Sequence, residues 1–456
     1  MNPAGPGARD KWGTRTTFVL ALLAATMGLG NLWRFSYLSG EYGGGAFVIS
    51  YVLCLFLIAV PVLVAELVLG NYGGPSPVQA IRRASDGSLR SRAWLLVGAL
   101  ACLTGLLVLT LYVVVAGWGI AYAGFMNSGI FSAARAVDVG RHFEQFLVEP
   151  MQQVYWQSLF LLCVSGIIVF GVRHGLGVLA WLATPLLLAM LAFLIVFAFD
   201  NGDIGATRDF LFSTRLVDFT PRSVLVALGH AFFTLGVGVG TGISYGAYAP
   251  ERIPIGRSVM AVAVFDTVIA LLAGLAIYPV VFANNMEPAS GPGLVFVSLP
   301  YAFGNLMQGE LGGTVFFAVV VLASLGSAVA IMEPLVAMLM KQLRLARFTA
   351  ALLVGAAVWL LALVVVMSFV PGRLPAWLGQ QNLLGVLDLL TARVLLPAVA
   401  MLVAVFVGWR LRPEILRLEL ARESGLFFSL WRFLLRYIAP LAIALIMLAP
   451  YLQAQR

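Results

Sequence analysis

Apolar runs of about twenty residues recur along the whole chain, and nothing else in the sequence limits the fold as strongly. Each run is long enough to cross the roughly 30 Å hydrocarbon core of a bilayer as an α-helix. Hydrophobic residues make up 61% of the chain and charged residues 11%, too little polar surface to cover such runs in one water-facing globule. The pattern predicts an all-α polytopic membrane protein. Eleven spans are read near 14–39, 45–70, 92–125, 155–171, 177–200, 222–248, 256–284, 312–342, 347–370, 382–409 and 432–452.

Basic residues set the orientation. The N-terminus, Arg82/Arg83/Arg90/Arg92, Arg173, Arg252/Arg257, Lys341/Arg344/Arg347 and Arg410/Arg412/Arg417/Arg422 fall on one side. The other side mixes Arg135, Arg141 and Arg208 with Asp138, Glu144, Asp200, Asp203 and Asp209. The N-terminus is therefore expected in the cytoplasm and, with an odd span count, the C-terminus outside. These loops account for the net charge of +8 and call for no nucleic acid. The first apolar run is too long for a signal-peptide core, so no cleavable leader is expected. Cys54, Cys102 and Cys163 show no paired spacing, and three histidines without an HExxH pattern give no basis for a metal centre. Segments 126–150, 201–221 and 285–311 are too short for separate soluble domains, so function belongs among the helices. No nucleophile–base or metal constellation appears, and an enzyme is not expected.

Two spans are spoiled in their interior. The first reads GLGN at 28–31 and then carries Arg34; the sixth has Gly236, Gly238, Gly240 and Gly242. Glycine is poor in a helix interior, and unwound backbone in hydrocarbon must find protein, ions or a polar ligand. Close helix packing through small residues explains one such segment as readily as a site does. Two at corresponding places in two halves point to a transporter site between repeats. Asp266, a carboxylate inside the seventh span, is a functional candidate by itself, with a structural partner for a hydroxyl or base as the alternative.

With GLGNLWRF at 28–35, GGGAF at 43–47, Tyr112 with Trp118, FFTL at 232–235, ALLAGLAIYP at 270–279 and AIMEP at 330–334, the chain resembles the sodium-coupled neurotransmitter symporters. The eleven spans look like their bacterial amino-acid-transporting branch. The resemblance runs from about Trp12 to Trp409 and implies two five-helix inverted repeats, 12–200 and 222–410, followed by a cytoplasmic loop and last helix over 411–456. It implies residence in a bacterial inner membrane, with an amino acid, sodium and the bilayer as partners and no obligate protein partner.

The resemblance also implies a site. Backbone N–H groups at Leu29 and Gly30, with the Tyr112 hydroxyl, would receive a substrate carboxylate. Gly28 would leave room for it where amine carriers have an Asp. Carbonyls of Thr26, Phe233 and Thr234 would meet the amino group. A first sodium would be held by Asn31, Thr26, Thr234 and Asp266, and a second by Ala24, Met27, Ala323 and Ser327, with Gly326 replacing a usual side-chain ligand. Asp266 would stand in for chloride, so no chloride requirement is expected, and His230 would either reach Asp266 or sit as a hydrogen-bonded histidine. Val108, Tyr112, Phe233, Val239, Ser327 and Ile331, with Gly236 adding space, suggest a neutral, bulky hydrophobic or aromatic amino acid.

Arg34 would close the outer path; Gly385 occupies the usual acid position, leaving Asp388 as a displaced partner. Arg9 would serve the inner gate, but Lys341 stands where its acid should be, so Arg9 would turn to a carbonyl or Glu251 while Lys341 faces headgroups. Gly175 and Pro185 bracket nine residues that resemble a hinge. Proton coupling, weak coupling, a betaine-like cargo and a transport-inactive sensor are the competing readings.

Overall fold

The computed structural model describes residues 11–85, 93–212, 219–286, 293–373 and 382–453. Among them nine helices are long and apolar enough to cross a membrane: Gly45–Gly73, Leu95–Asn127, Pro150–Val169, Val172–Asn201, Ile255–Ala283, Gly309–Gln342, Arg347–Met367, Leu383–Arg410 and Gly425–Leu448. A bent pair, Arg15–Thr26 and Gly30–Glu41, makes a tenth span with a 45° kink. Pro221–Leu235 and Thr241–Tyr248, on either side of the glycine-rich break, occupy the place of the sixth expected span. The last span starts at Gly425, earlier than the sequence reading at 432, because Gly425–Phe433 continues into it without a break.

The helices form an inner set and an outer set. The second, third and eighth spans have 78%, 72% and 72% of their apolar windows buried, whereas the eleventh has 22%, so the former make the core and the latter faces lipid. The third and eighth spans lie along each other, and the first span packs on the fifth and eighth. Outside the membrane-crossing helices, Ala136–Val148 and Leu294–Gly304 carry aromatic side chains that pack together, with Phe143 stacked on Phe296 at 5.8 Å.

Both breaks fall where the glycines are. In the first span the helix stops at Thr26, Gly28 N–H turns back to the Thr26 carbonyl at 2.8 Å, and the chain restarts in a wide turn over Gly30–Arg34. In the sixth span Gly236, Gly238 and Gly240 have φ of +62°, +88° and +81°. Only glycine adopts this left-handed backbone without a steric cost, so three of them unwind the helix where a side chain would resist. The freed groups are satisfied inside the protein, as hydrocarbon requires: Gly238 N–H donates to Glu66 Oε1 at 2.9 Å.

Candidate functional site

The two breaks face each other at the centre of the bundle. A Cβ added at Gly30 would lie 3.3 Å from Thr234 Oγ1, which brings the restarted half of the first span against the end of the helix before the second break. Asn31, Thr234 and Asp266 meet there, all buried. Asn31 Nδ2 donates to Asp266 Oδ1 at 2.9 Å. Thr234 Oγ1 lies 2.6 Å from Asn31 Oδ1 and 3.2 and 3.0 Å from the two Asp266 oxygens. One hydroxyl proton cannot serve three acceptors, so oxygens face oxygens without a proton between them. Such a cluster attracts a hard cation, for which oxygen donors with a single carboxylate are suited. No group of three or more His, Cys, Asp or Glu that could hold a metal ion occurs among the described residues.

Tyr51 was not foreseen. Its hydroxyl donates to Asp266 Oδ2 at 3.2 Å from the second span. His230, foreseen as a partner of Asp266 or a hydrogen-bonded histidine, is neither: both ring nitrogens are buried without a hydrogen-bond partner among the described residues. The imidazole packs instead on the Tyr51 ring at 4.9 Å and near Phe35 at 5.8 Å. Aromatic neighbours, not the carboxylate, fix its place.

Gly28, Tyr112 and Ser327 converge on the other side of the break. A Cβ at Gly28 would fall 2.2 Å from Ser327 Oγ and 2.8 Å from the Tyr112 hydroxyl, so no side chain fits there unless those groups move. Leu29 and Thr26 are buried beside it. Val108, Tyr112, Phe233, Val239, Ser327 and Ile331 are likewise buried, and Tyr112 stacks on Phe233 at 5.7 Å. Gly105 joins this wall unforeseen, since its Cβ would meet the Val239 carbonyl at 3.0 Å and Ile331 Cγ2 at 3.7 Å. Gly236 has open space around it: an added Cβ would find only Thr241 Cβ, at 3.9 Å.

Of the residues assigned to a second cation, Ala24 and Met27 lie at the end of the first half of the first span and Ala323 and Ser327 on the eighth. Ser327 Oγ donates to the Ala25 carbonyl at 2.7 Å. A Cβ at Gly326 would stand 2.3 Å from the Ala24 carbonyl oxygen, so backbone fills the space that a side-chain ligand would take.

Both paths out are shut. Arg34 Nη1 meets Asp388 Oδ1 at 2.7 Å, and its guanidinium sits 4.8 Å from the centre of the Phe233 ring. The displaced acid therefore reaches Arg34 directly, three residues beyond Gly385 and so on the same helix face. On the opposite side Arg9 lies outside the described residues. Glu251, its expected partner, pairs with Lys11 at 3.6 Å. The buried closure is built elsewhere: Trp12 N–H donates to the Tyr248 carbonyl at 3.0 Å, the Tyr248 hydroxyl donates to Glu333 Oε1 at 2.6 Å, and Glu333 Oε2 accepts from Arg347. Arg347 Nε also donates to the Ile168 carbonyl at 2.6 Å. Lys341 is exposed, as expected for a residue facing headgroups. The Gly175 segment winds in a wide turn over Val172–Gly177, with Pro185 inside the following helix, and a cavity of about 240 Å³ lined by Ile167, Gly175, Leu182 and Leu322 lies against it.

The fold and this central cluster define a multi-pass membrane transporter built on broken helices. A model of the Sodium:neurotransmitter symporter family matches residues 9–130 and 144–456, and the chain belongs to that family. It is 31% identical over 443 residues to the uncharacterized sodium-dependent transporter YhdH of Bacillus subtilis (strain 168), covering 96% of this chain and 97% of that one. An uncharacterized sodium-dependent transporter of Haemophilus influenzae is 28% identical over 461 residues, covering 97% and 98%. The crystal structure of MhsT in complex with L-phenylalanine superposes with a TM-score of 0.88 at 33% identity, over 96% of this chain and 99% of that one. The protein is a sodium-coupled transporter of a small molecule and not an enzyme.

Proposed function

We propose that this chain imports a neutral, bulky hydrophobic or aromatic amino acid together with sodium, without a chloride requirement. The oxygen cluster of Asn31, Thr234 and Asp266 carries the reading. It offers more oxygens than protons, and it adjoins the break where the Leu29 and Gly30 N–H groups end a helix dipole. A substrate carboxylate between those N–H groups and the cation neutralises both, so each ligand raises the other's affinity. Asp266 supplies the fixed negative charge in the protein itself, which removes the need for an anion from solution.

The crowding of Gly28 by Ser327 and Tyr112 favours a substrate that brings its own carboxylate over one that needs an Asp at that position. The apolar wall, with open space at Gly236, suits a large side chain, and MhsT, so similar in fold, was crystallised with L-phenylalanine. One sodium per cycle is the reading favoured by Gly326, whose neighbourhood is closed by the Ala24 carbonyl.

Alternating access follows from the two latches. Arg34–Asp388 opens to one side, and the Tyr248–Glu333–Arg347 chain opens to the other, with residues 12–200 and 222–410 as the inverted repeats that rock about the site. The Gly175–Pro185 stretch serves as the hinge. The distribution of basic loops supports a cytoplasmic N-terminus and a C-terminus on the other side, in what we read as a bacterial inner membrane. Binding of labelled phenylalanine, leucine and glycine to purified protein, with sodium titrated against potassium, tests the reading. Saturable, sodium-dependent binding of phenylalanine supports it; binding indifferent to sodium, or best for glycine, overturns it. Counterflow in liposomes separates a carrier from a sensor, because only a carrier exchanges internal for external label.

A further inference from the structure

Two arginines lie one helical turn apart in the last span, at Arg432 and Arg436, on a helix whose apolar window is only 22% buried. From Arg436 the helix continues to Gln453, about 26 Å at 1.5 Å per residue, which is close to the hydrocarbon thickness. Both guanidiniums therefore sit at the boundary between headgroups and acyl chains. Neither has a carboxylate within ion-pair distance among the described residues, and the Nε–H of each is buried without an acceptor. A buried cationic donor left unpaired is costly, and lipid tails cannot serve it.

The surroundings form a slot. Arg436 stacks over Trp409 at 4.3 Å, and the Trp409 indole N–H donates to the Arg436 carbonyl at 3.0 Å, joining the tenth and eleventh spans. Trp409, Phe433 and Tyr437 are 51%, 51% and 48% exposed, an aromatic rim of the kind that settles at membrane interfaces. Arg410 ends the neighbouring helix and adds a third positive charge.

We infer that this slot binds the phosphodiester headgroup of an anionic phospholipid, with Arg432 and Arg436 as its donors and the aromatic rim against its glycerol and upper acyl carbons. Arginine forks match phosphate oxygens two at a time, and basic pockets between membrane helices recruit acidic headgroups. The inference stands apart from the nature of the transported substrate.

The test uses the full chain in detergent micelles, titrated with phosphatidylglycerol, phosphatidylcholine or inorganic phosphate, with bound molecules counted by native mass spectrometry. One tightly held phosphatidylglycerol is expected, preferred over phosphatidylcholine by roughly thirtyfold for two arginines near the surface. The Arg432→Gln/Arg436→Gln pair abolishes the preference, while Arg417→Gln/Arg422→Gln, with the same loss of charge, keeps it. Each single variant costs about fivefold, which keeps the test open should the double variant not fold. Equal retention of both lipids, an equal loss in both variant pairs, or saturation by inorganic phosphate alone overturns the inference.

Discussion

Replacing Asp266 by Asn keeps the shape of the side chain and removes one negative charge from a fully buried cluster. The carboxylate accepts from Asn31, Thr234 and Tyr51 at 2.9, 3.0 and 3.2 Å, and among the described residues no cationic side chain lies within ion-pair distance of it. Its charge is thus available to a bound cation. At a separation of about 4 Å and an effective dielectric constant near 20, the attraction is about 4 kcal/mol, and the amide oxygen of Asn recovers a small part. A net loss of about 3 kcal/mol corresponds to a roughly hundredfold weaker sodium affinity. Sodium titration of phenylalanine binding to purified D266N reads this directly. Because the carboxylate of the substrate shares the cation, the affinity for phenylalanine at fixed sodium falls as well. An Asn variant whose half-saturating sodium rises less than threefold would show that Asp266 only braces its hydroxyl neighbours. The unsubstituted protein, with Asp266 in place, is expected to bind unchanged in gluconate instead of chloride.

Gly28→Asp forces a side chain into the 2.2 Å gap to Ser327 Oγ and is expected to abolish amino-acid binding in an equilibrium assay; retained affinity would place the substrate elsewhere. Asp388→Asn weakens the pair with Arg34, costing about 1–3 kcal/mol of outer closure, so release of prebound label towards that side should quicken about fivefold or more in a dilution experiment. Gly105→Val narrows the wall near Val239 and Ile331 and should shift the ratio of phenylalanine to alanine affinity at least tenfold towards alanine, as measured by competition. His142, on the extramembrane helix Ala136–Val148, is held below the usual imidazole range by burial against Phe125 and Phe131. A lowered folded value means the stability it lends is present above its ordinary value of about 6.5 and lost as pH falls through the lowered one, so that helix should become protease-sensitive on acidification and His142→Phe should flatten the response.

The breaks were legible because they violate helix chemistry locally: Gly28 and the 236–240 glycines stand out against any apolar background, and both sit at the site. Asp266 was legible for a similar reason, as a charge in a costly place, whereas Asp388 was reached through the resemblance, as a displaced partner for Arg34. Tyr51 was hidden because a buried tyrosine is an ordinary core residue until its partner, 215 positions away, is known. Glu66 and Glu333 were there to be found by the rule applied to Asp266, since both are carboxylates inside spans. Glu333 lies in the AIMEP stretch, and recognising it would have moved the expected centre of the inner closure away from Arg9. The silence of His230 towards Asp266 was beyond a one-dimensional reading, because four residues of separation from Thr234 fix a shared face but not which neighbours line it.

The two latches differ in how wet they are. Asp388 has 22% of its side chain accessible, whereas Glu333 has none. Ions within a Debye length of about 8 Å screen the Asp388 carboxylate directly and reach the second pair only at Arg347, which is 18% accessible. Salt on the Arg34 face therefore works twice: it fills the oxygen cluster, and it loosens the door through which it arrived. The second pair meets solvent only at its arginine end, and its carboxylate stays sealed. On the gating proposed above, a saltier compartment on the Arg34 face is expected to favour opening to that side.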